Sequence, residues 1–367
     1  MSDTSFSPAP TSDDSPGNPS PHPDPLGVLA ATSLVMRQAR SVRVDEAAIA
    51  RLAASFVDQS TAVPPWDATL HYRGHRDAHD DAGAARTAGW VFALDALNFC
   101  FWAQGSDPDM RWKVAWKGQV HDGYDALAAA LSRAVAEGHP LWDAGWLSSL
   151  DEATLRTILR PMPGYPAIPL FPERLHNLHE LGAALLAVPG VHAVPPVVRL
   201  LHRADGSAAA LVREVVGRMP SFDDTACWHD RESGERMHIP LFKRAQILVA
   251  DLAGSLVDHP LGTFRDLPIL TAFADYKVPQ VLRRLGILSY AEPLAGRIAR
   301  RELLPAGSEE EIEIRAATVQ ACERIRRALV ERGRAVNSFE IDWLLWQAGQ
   351  SLPPGAEPYH RTITIFY

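Results

Sequence analysis

The sequence predicts a mainly α-helical fold with a few short β-strands. Two observations carry this prediction: apolar residues recur three and four positions apart in many segments, and strand-like alternation is confined to two stretches. Apolar residues at that spacing fall on one side of a helix, which then packs against a core. With 367 residues and 47% hydrophobic content, the chain is long and apolar enough for a substantial core.

The amino-terminal segment, residues 1–25, is rich in Ser, Pro and Asp and contains little that can be buried. Ordering such a segment costs conformational entropy without compensating contacts, so we expect a disordered tail. Residues 26–367 are expected to form a single, mostly helical domain. An arrangement of two lobes around a cleft is compatible with the same pattern.

The helical period predicts helices over residues 27–40, 45–59, 123–137, 151–159, 173–186, 240–258, 278–285, 309–331 and 339–348. Alternation predicts a short hairpin over residues 111–120 and a strand over residues 362–367, TITIFY, at the carboxyl end. Two proline-rich segments, 161–172 and 189–196, are predicted to be connecting loops because proline removes a backbone donor.

Charge and cysteine content argue against several classes of protein. A net charge of −8 disfavours broad attachment to nucleic acid, which needs a surplus of Lys and Arg on one face. Cys100, Cys227 and Cys322 have no metal-binding spacing and are expected to be reduced thiols, mostly buried. The fourteen histidines form no metal motif, and residues 71–81 are typical of a hydrophilic loop, so we predict no metal site.

The amino terminus lacks the positive start and the apolar run of a secretory signal. No apolar stretch of the sequence reaches the length that spans a bilayer. We therefore expect a cytoplasmic protein without a membrane partner.

The segment FADYK, residues 273–277, places an acid, a phenol and a base between an apolar run and Pro279. One interpretation is local: Asp275 caps a helix and Lys277 is a solvated first-turn residue, since proline suits the opening turn of a helix. The other interpretation is chemical: Asp275, with Tyr276 beside it, is a carboxylate held among apolar neighbours for catalysis.

A second segment, WVFALDALNFCFW at residues 90–102, is almost entirely apolar apart from Asp95 and Asn98. Burying these groups without partners is costly, so they form either an internal hydrogen-bonded pair or part of a pocket. In the second case Phe99 and Phe101 offer ring faces to a flat heterocycle, and Asp95 and Asn98 offer hydrogen bonds.

Two further helical segments combine charge with apolar residues. In residues 240–258, Lys243 and Asp251 fall at helical offsets on roughly one side, which is typical of either a solvated ion pair or a site. In residues 340–346, Asp342 and Trp346 are one helical turn apart, an arrangement that suits either core packing or a carboxylate beside a stacking ring.

Polar residues near the carboxyl end allow two interpretations as well. Arg315 lies in EIEIRA, where a surface pair with Glu313 is the alternative to a role in a site. His360 and Arg361 lie in PYHRTITIFY, either as a pair that faces a phosphate or as the polar edge of a strand.

Taken together, the blocks at residues 90–102, 241–252, 270–288, 311–316 and 358–367 resemble, in this order, the queuosine salvage protein family of queuosine 5′-phosphate N-glycosylases/hydrolases. The resemblance spans residues 26–367. It implies a helical body related to the helix-hairpin-helix DNA glycosylases, release of queuine from queuosine 5′-monophosphate, and no cofactor. The segment VPQVLRRLGIL lacks the glycine-rich hairpin LPGVG with which DNA glycosylases seat a duplex, which favours a nucleotide as substrate.

Matched residue by residue, the resemblance implies that Asp275 is the catalytic aspartate and Lys243 the essential lysine. Breaking an N-glycosidic bond leaves positive charge on the sugar. Asp275 would stabilise that cation or attack C1′ covalently, and both mechanisms remain open at this stage. Lys243 would pair with the 5′-phosphate or place positive charge near the ribose.

Queuine has a secondary amine and a guanine-like edge, so carboxylates are expected to accept hydrogen bonds from it while aromatic rings stack on it. The expected ligand-binding residues are Asp95, Asn98, Phe99, Phe101, Asp251, Tyr276, Arg315, Asp342, Trp346 and His360. The expected partners are queuosine 5′-monophosphate and the product queuine, with no direct nucleic acid, and a monomer is expected.

Two other hypotheses remain beside the nucleotide hydrolase. One is a noncatalytic carrier that binds queuosine or its base. The other is a glycosylase that acts on tRNA or DNA.

Overall fold

A computed structural model describes residues 23–59, 61–66, 68–102, 110–353 and 355–367. The predicted tail lies outside the described residues except for its last three positions. The single domain and its two lobes stay predictions. The resemblance to helix-hairpin-helix glycosylases also stays a prediction.

Helices make up most of the described chain, as the sequence predicts. They are α1 (Val28–Gln38), α2 (Glu46–Asp58), α3 (Asp81–Ala96), α4 (Gly123–Ala136), α5 (Ala144–Ser148), α6 (Glu152–Ile158), α7 (Phe171–Leu186), α8 (Pro196–Ala204), α9 (Ala208–Arg218), α10 (Lys243–Ser255), α11 (Lys277–Arg284), α12 (Glu292–Ala299), α13 (Glu309–Val330) and α14 (Ser338–Gln350). The strands are β1 (Val42–Val44), β2 (Lys113–Trp116), β3 (Gln119–Asp122), β4 (Thr225–His229), β5 (Arg236–Pro240) and β6 (Leu288–Tyr290).

Several helices begin where a short polar side chain satisfies the free amide groups of the first turn. The carboxylate of Asp45 accepts from the amide of Ala48 at the start of α2. The hydroxyl of Ser308 accepts from the amide of Glu311 at the start of α13. At α14, Asn337 and Glu340 form a reciprocal capping box. The sequence thus encodes these boundaries locally.

The nine predicted helices are confirmed: the helix predicted over residues 240–258 is three residues shorter at each end, and the ends of the other eight lie within two residues of the prediction. The helix predicted from residue 240 begins at Lys243, because Pro240 ends β5 and Phe242 has a left-handed backbone with a φ of 49°. Helix α3 was not predicted. Thirteen of its sixteen residues are buried, so it has no polar face and its sequence shows no helical alternation of polar and apolar residues.

Every described strand belongs to a two-stranded antiparallel sheet: β1 with β6, β2 with β3, and β4 with β5. The predicted hairpin is confirmed, with Trp116 opposite Gln119. The strand predicted over residues 362–367 is wrong: Arg361 forms an isolated bridge with Leu303, and the residues after it are irregular. They have no partner edge among the described residues, and several of them bury their side chains individually instead.

Two hydrophobic clusters meet at the segment of residues 273–277. The larger cluster contains the buried faces of α1, α3, α4 and α7 to α10. The second contains those of α2 and α11 to α14. The segment runs between them, because Phe273 and Ala274 belong to the first cluster and Val278 belongs to the second.

Three further findings bear on the composition-based predictions. Cys100 and Cys322 are buried free thiols, and Cys227 is an exposed one. Of the helices in the described part of the chain, none combines the length and the apolar character needed to cross a membrane. Among the described residues, His, Cys, Asp and Glu side chains form no group of three that could hold a metal ion.

Candidate active site

A deep pocket opens where α4, α10, α14 and the segment 273–277 meet. It has about 860 Å³ of space between its lining atoms, part of it open to solvent at the mouth. Its wall consists of aromatic, acidic and basic side chains, namely Trp66, Asn98, Phe101, Arg111, Asp122, Tyr124, Asp125, Lys243, Ile247, Asp251, Phe273, Asp275, Tyr276, Lys277, Asp342, Trp343, Trp346, Gln350 and Tyr367, together with Gly123.

Asp275 lies at the pocket wall immediately before α11 and is 7% exposed. Its Oδ1 atom accepts from the amides of Lys277 and Val278, both at 2.9 Å, so it caps the helix. Burial raises the pKa of this carboxyl, while the ammonium of Lys243 and the two amide donors oppose the rise. Among the described residues no donor reaches Oδ2 within hydrogen-bond distance, which leaves this oxygen for a ligand.

Lys243 is the first residue of α10, and it also lines the pocket and is 7% exposed. Burial lowers the pKa of its ammonium, and the nearby carboxylates of Asp275, Asp95 and Asp342 oppose that change. In the described part of the chain, no acceptor lies within hydrogen-bond distance of Nζ. The ammonium is therefore placed to meet an acceptor on a ligand.

A buried ion pair fixes the two segments that present Lys243 and Asp275. The guanidinium of Arg315 on α13 donates to both carboxylate oxygens of Asp224 at 2.9 and 2.5 Å. Its Nε donates to the carbonyl of Ala274 at 3.1 Å, one residue before Asp275. Asp224 in turn accepts from the amide of Lys243 at 3.2 Å. Arg315 thereby sets the spacing between both candidate catalytic residues.

Asp342 adds a second carboxylate to this part of the wall. Its Oδ1 accepts from the amide of Phe273 at 3.0 Å, which ties α14 to the segment 273–277. Burial and the negative charge of Asp275 raise the pKa of Asp342 well above its ordinary value. The pocket wall therefore contains Asp342, whose raised pKa favours the protonated form, and Asp275, whose ionised form is stabilised by Lys243.

Indole rings line the same pocket. The rings of Trp343 and Trp346 on α14 stack with centroids 5.4 Å apart and planes at 9°. Trp66 lies 4.7 Å from Trp343 and meets Phe273 edge to face at 6.1 Å. Flat faces of this kind bind planar heterocycles.

At the mouth, two basic side chains line the pocket beside the amino end of α4. Arg111 donates to Asp122 at 2.8 Å with its side chain 21% exposed. Lys277 donates to the carbonyl of Gly349 at 3.2 Å and lies 5.7 Å above the ring of Tyr359. Burial and the charge of Arg111 lower the pKa of Lys277. Asp122 and Asp125 line the pocket as well, so this part of the wall presents charges of both signs.

Eight of the predicted site residues line this pocket, and four do not. The pocket brings together Asp275, Lys243, Asn98, Phe101, Asp251, Tyr276, Asp342 and Trp346. Asp95, Phe99, Arg315 and His360 lie outside its lining. The structure gives each of these four an internal role.

Asp95 accepts from the amide nitrogen of Asn98 at 3.2 Å, and burial together with the charge of Asp251 raises its pKa well above the ordinary value. The ring of Phe99 lies between the guanidinium groups of Arg174 and Arg244, 4.3 and 5.1 Å from its centroid. Phe99 therefore has no free face for a base.

His360 and Arg315 are equally enclosed. His360 is 2% exposed, and burial together with the charge of Arg315 lowers its pKa to about 3. Arg315 is 2% exposed, and its partners within the protein occupy the guanidinium. Neither is available to a phosphate. Glu313 is no surface partner of Arg315, because Glu313 is itself buried and its carboxylate accepts from the three backbone amides of residues 40–42.

Several pocket residues carry no sequence signal that would single them out. Trp66 follows two prolines in an irregular segment. Tyr124 lies in a predicted helix, where its sequence position indicates no particular role. Arg111 and Lys277 look solvated, and Trp343 looks like core. Only the tertiary structure brings these five together.

The fold and the pocket define a mainly helical enzyme-like protein whose aromatic pocket holds ionisable groups with shifted pKa values, the arrangement of a site for small-molecule chemistry. A family model described as queuosine salvage protein matches residues 78–367. The chain belongs to the queuosine salvage protein family.

Relatives over nearly the whole length agree with this membership. A protein of Sphaerobacter thermophilus is 45% identical over 344 residues, covering 94% of this chain and 98% of the relative. A protein of Mus musculus is 33% identical over 354 residues, covering 94% and 99%. A protein of Schizosaccharomyces pombe is 28% identical over 326 residues, covering 87% and 90%. All three are named queuosine 5′-phosphate N-glycosylase/hydrolase.

Proposed function

We propose that this protein hydrolyses the N-glycosidic bond of queuosine 5′-phosphate and releases queuine for salvage into tRNA modification. The relatives' shared name supports the reaction and the substrate. The observation that carries the proposal for this chain is the placement of Asp275 and Lys243, both buried, on one wall of an aromatic pocket.

Asp275 acts on the sugar. As the bond to the base breaks, positive charge develops at C1′ and its ring oxygen, and a carboxylate stabilises that charge most strongly where water is largely excluded. The capping bonds to Oδ1 hold the side chain in one orientation, so Oδ2 meets the ligand without reorganisation. The same geometry serves both mechanisms: either Asp275 stabilises the cation and water then adds to C1′, or Asp275 attacks C1′ covalently and water then cleaves the resulting ester. In both, the base leaves with the electron pair of the broken bond and gains a proton.

Lys243 and Asp342 complete the reacting part of the site. The ammonium of Lys243 helps to keep Asp275 ionised despite burial, and the proposal assigns Lys243 to the ribose. Asp342, whose pKa is raised, remains protonated more readily than Asp275 and can donate a hydrogen bond to a polar atom of the ligand. The proposal assigns the departing base to Trp346 and Phe101, which line the same pocket as Asn98.

The phosphate lies at the mouth, where Arg111 and Lys277 line the pocket. Both are basic side chains with part of their surface in water, which suits a doubly charged group better than the enclosed Lys243 does. The proposal therefore assigns phosphate recognition to the mouth and sugar chemistry to the interior. It also includes action by a cytoplasmic monomer with one catalytic domain, on a free nucleotide rather than on nucleic acid.

The direct test is incubation of the purified protein with queuosine 5′-monophosphate, followed by chromatography and mass detection of free queuine. Base release supports the hydrolase. Tight binding of the nucleotide without release supports the carrier instead. Release from intact tRNA, but not from the nucleotide, supports a nucleic-acid glycosylase.

The phosphate assignment has its own test in Lys277→Met, which keeps the length of the side chain and removes the charge. A charged hydrogen bond contributes roughly 1.5–3 kcal/mol, so we expect KM for the 5′-monophosphate to rise about 10- to 100-fold. KM for the nucleoside queuosine should change little. An equal rise with both compounds would contradict phosphate recognition by Lys277.

A further inference from the structure

Tyr367 lines the pocket and is fixed by contacts on several sides. It is 3% exposed. Its main-chain oxygen accepts from the amide of Cys100 at 2.9 Å. Its ring centroid lies 4.4 Å from the guanidinium carbon of Arg315, and its hydroxyl donates to Oε1 of Glu311 at 2.8 Å. Tyr367 therefore joins the pocket wall to α13, the helix that carries both Glu311 and Arg315.

The hydrogen bonds around Glu311 show that its carboxyl is an acceptor. Oε1 accepts from the Tyr367 hydroxyl, and Oε2 accepts from the amide of Gly307 at 3.0 Å. Burial raises the pKa of Glu311, while the charge of Arg315 and the bond from Tyr367 oppose that rise. Burial also raises the pKa of Tyr367 well above its ordinary value, so its hydroxyl keeps the hydrogen that it donates.

His360 agrees with this direction of the bond. Its Nε2 lies 3.4 Å from the Tyr367 hydroxyl, and its Nδ1 is buried without a hydrogen-bond partner among the described residues. A proton on Nε2 avoids a buried, unpaired donor at Nδ1. The single hydroxyl hydrogen of Tyr367 is then left for Glu311.

The same oxygen of Glu311 also faces Arg315. Oε1 lies 3.6 Å from Nη1 of Arg315, beyond hydrogen-bond distance, and the two residues are four positions apart on α13. Nη1 already donates to Asp224 at 2.9 Å, and Nε donates to the carbonyl of Ala274 at 3.1 Å. Opposite charges at this helical spacing attract each other, so an ionised Glu311 without another donor would close on Arg315. The hydroxyl of Tyr367 occupies Oε1 and holds Glu311 back.

A movement of Arg315 would reach the candidate catalytic residues. Arg315 holds the carbonyl of Ala274, the residue before Asp275, and Asp224 accepts from the amide of Lys243. A charge-assisted hydrogen bond of about 2.8 Å in place of the 3.6 Å separation would move the two charged groups together by about 0.8 Å. A misplacement of about 1 Å in a catalytic constellation can cost about 100-fold in rate.

We infer that Tyr367 is a positioning residue for the reaction, whose hydroxyl engages Glu311 and thereby keeps Arg315 in place. Arg315 in turn keeps the two candidate catalytic residues at their spacing. This inference rests on the proposed function, because it concerns the rate of that reaction. The contact between Glu311 and Arg315, however, can be tested without turnover.

The first test is Tyr367→Phe, which removes the hydroxyl and keeps the ring. We expect kcat for queuine release from queuosine 5′-monophosphate to fall at least about tenfold. KM should stay within about twofold, because the ring still lines the pocket. The matched control is Tyr290→Phe, since Tyr290 also lies over an arginine, Arg283 at 4.8 Å, but outside the pocket lining. Its kcat should equal that of the wild-type protein. A kcat of Tyr367→Phe within about twofold of the wild-type value would overturn the inference.

Glu311→Gln separates positioning from a general contribution to the fold. Glutamine keeps the length of the side chain and removes the charge that attracts Arg315. In this background, we expect removal of the Tyr367 hydroxyl to cost at most about threefold in kcat, against at least about tenfold in the native background. A merely structural role for Tyr367 predicts the same loss in both backgrounds, and equal losses would overturn the inference. Where Tyr367→Phe alone fails to fold, the Glu311→Gln background decides, because a loss of about tenfold or more there would also overturn it.

The position of Arg315 has a readout that needs no turnover. Its Nε–H group gives a nitrogen-15 NMR signal, which is assigned by its loss in Arg315→Lys. We expect this signal to shift in Tyr367→Phe and to return toward its wild-type position when Glu311→Gln is added. An unchanged signal in Tyr367→Phe would overturn the inference.

The outcomes separate this inference from the proposed function. A shifted Arg315 signal in Tyr367→Phe, together with no queuine release by the wild-type protein, would remove the hydrolase and leave Tyr367 as the residue that holds Arg315. Queuine release with an unchanged kcat in Tyr367→Phe would remove the inference and leave the hydrolase.

Discussion

Replacing Asp275 with asparagine removes one negative charge from the pocket and changes little else. The side-chain oxygen of the introduced amide can still accept from the backbone amides of Lys277 and Val278, so the cap of α11 is kept. A carboxylate oxygen about 3.5 Å from a full positive charge interacts with it by roughly 5 kcal/mol at an effective dielectric constant of about 20. That energy corresponds to a factor of several thousand in rate, so a loss of at least about 10³-fold is expected.

We therefore expect Asp275→Asn to lower kcat for queuine release from queuosine 5′-monophosphate by about 10³-fold, with KM and the melting temperature nearly unchanged. Initial rates follow from mass detection of queuine, and calorimetry gives binding and melting. Asp205→Asn is the matched control, since Asp205 is 92% exposed at its side chain and has a left-handed backbone that asparagine tolerates. It should retain full activity. A kcat for Asp275→Asn within about tenfold of the wild-type value would refute the electrostatic role.

Three other predictions concern the same network. Lys243→Met should reduce kcat at least about 100-fold for both the nucleotide and the nucleoside, which rate measurements with the two substrates will show. A loss confined to the nucleotide would indicate instead that Lys243 binds the phosphate. Because burial raises the pKa of Asp275, a pH–rate profile should show activity falling on acidification at a pH above the usual aspartate pKa of about 4. Lys243 opposes that rise, so Lys243→Met should move this acidic fall in activity to higher pH. A fall in activity of the wild-type protein only at or below about pH 4 would contradict the assignment. Arg315→Met leaves the buried carboxylate of Asp224 unpaired and should cost about 3–5 kcal/mol in the free energy of unfolding by denaturant titration, whereas an unchanged midpoint would show that the pair contributes little.

In the acid range, activity and the free energy of unfolding should change in opposite directions as pH rises, and both changes follow from the same pKa shifts. Burial raises the pKa values of Asp275, Asp342 and Asp95, so the folded chain binds protons at a pH where the unfolded chain has lost them. These groups stabilise the fold below the unfolded pKa and lose that contribution as pH rises through the folded pKa. Activity gains over the same window, because catalysis needs Asp275 ionised.

Sequence periodicity predicted nine helices, most of them with one polar face, but it missed α3, which is buried almost throughout, and also α8, α9 and α12, which have both buried and exposed positions. Helix α4 has both buried and exposed positions, whereas α3 is buried almost throughout and leaves no such pattern. The strand predicted at residues 362–367 had the right residue types, but a strand requires an edge with which to pair. Whether such an edge exists is a property of the tertiary structure.

For the site, polar residues in apolar segments were a sound guide to burial and an incomplete guide to contact with a ligand. Asp275 and Arg315 look alike in sequence, each charged and flanked by apolar residues. The structure separates them by their partners: the guanidinium of Arg315 is enclosed by Asp224 and the carbonyl of Ala274, whereas Asp275 lines the pocket. Partners from distant segments cannot be read from local sequence, and the same holds for Trp66 and Tyr124, which donate to the carboxylate of Asp251.

The two interpretations of Asp275 are compatible, because a carboxylate has two oxygens. Oδ1 caps α11, and this local structural role fixes both torsion angles of the side chain. A fixed side chain is what electrostatic catalysis needs, since a carboxylate that must reorient toward the developing cation loses part of its stabilisation to reorganisation. Capping is therefore the means by which a residue at the junction between two hydrophobic clusters becomes rigid enough to act on a sugar. An uncapped acid at this position would have the charge without the orientation.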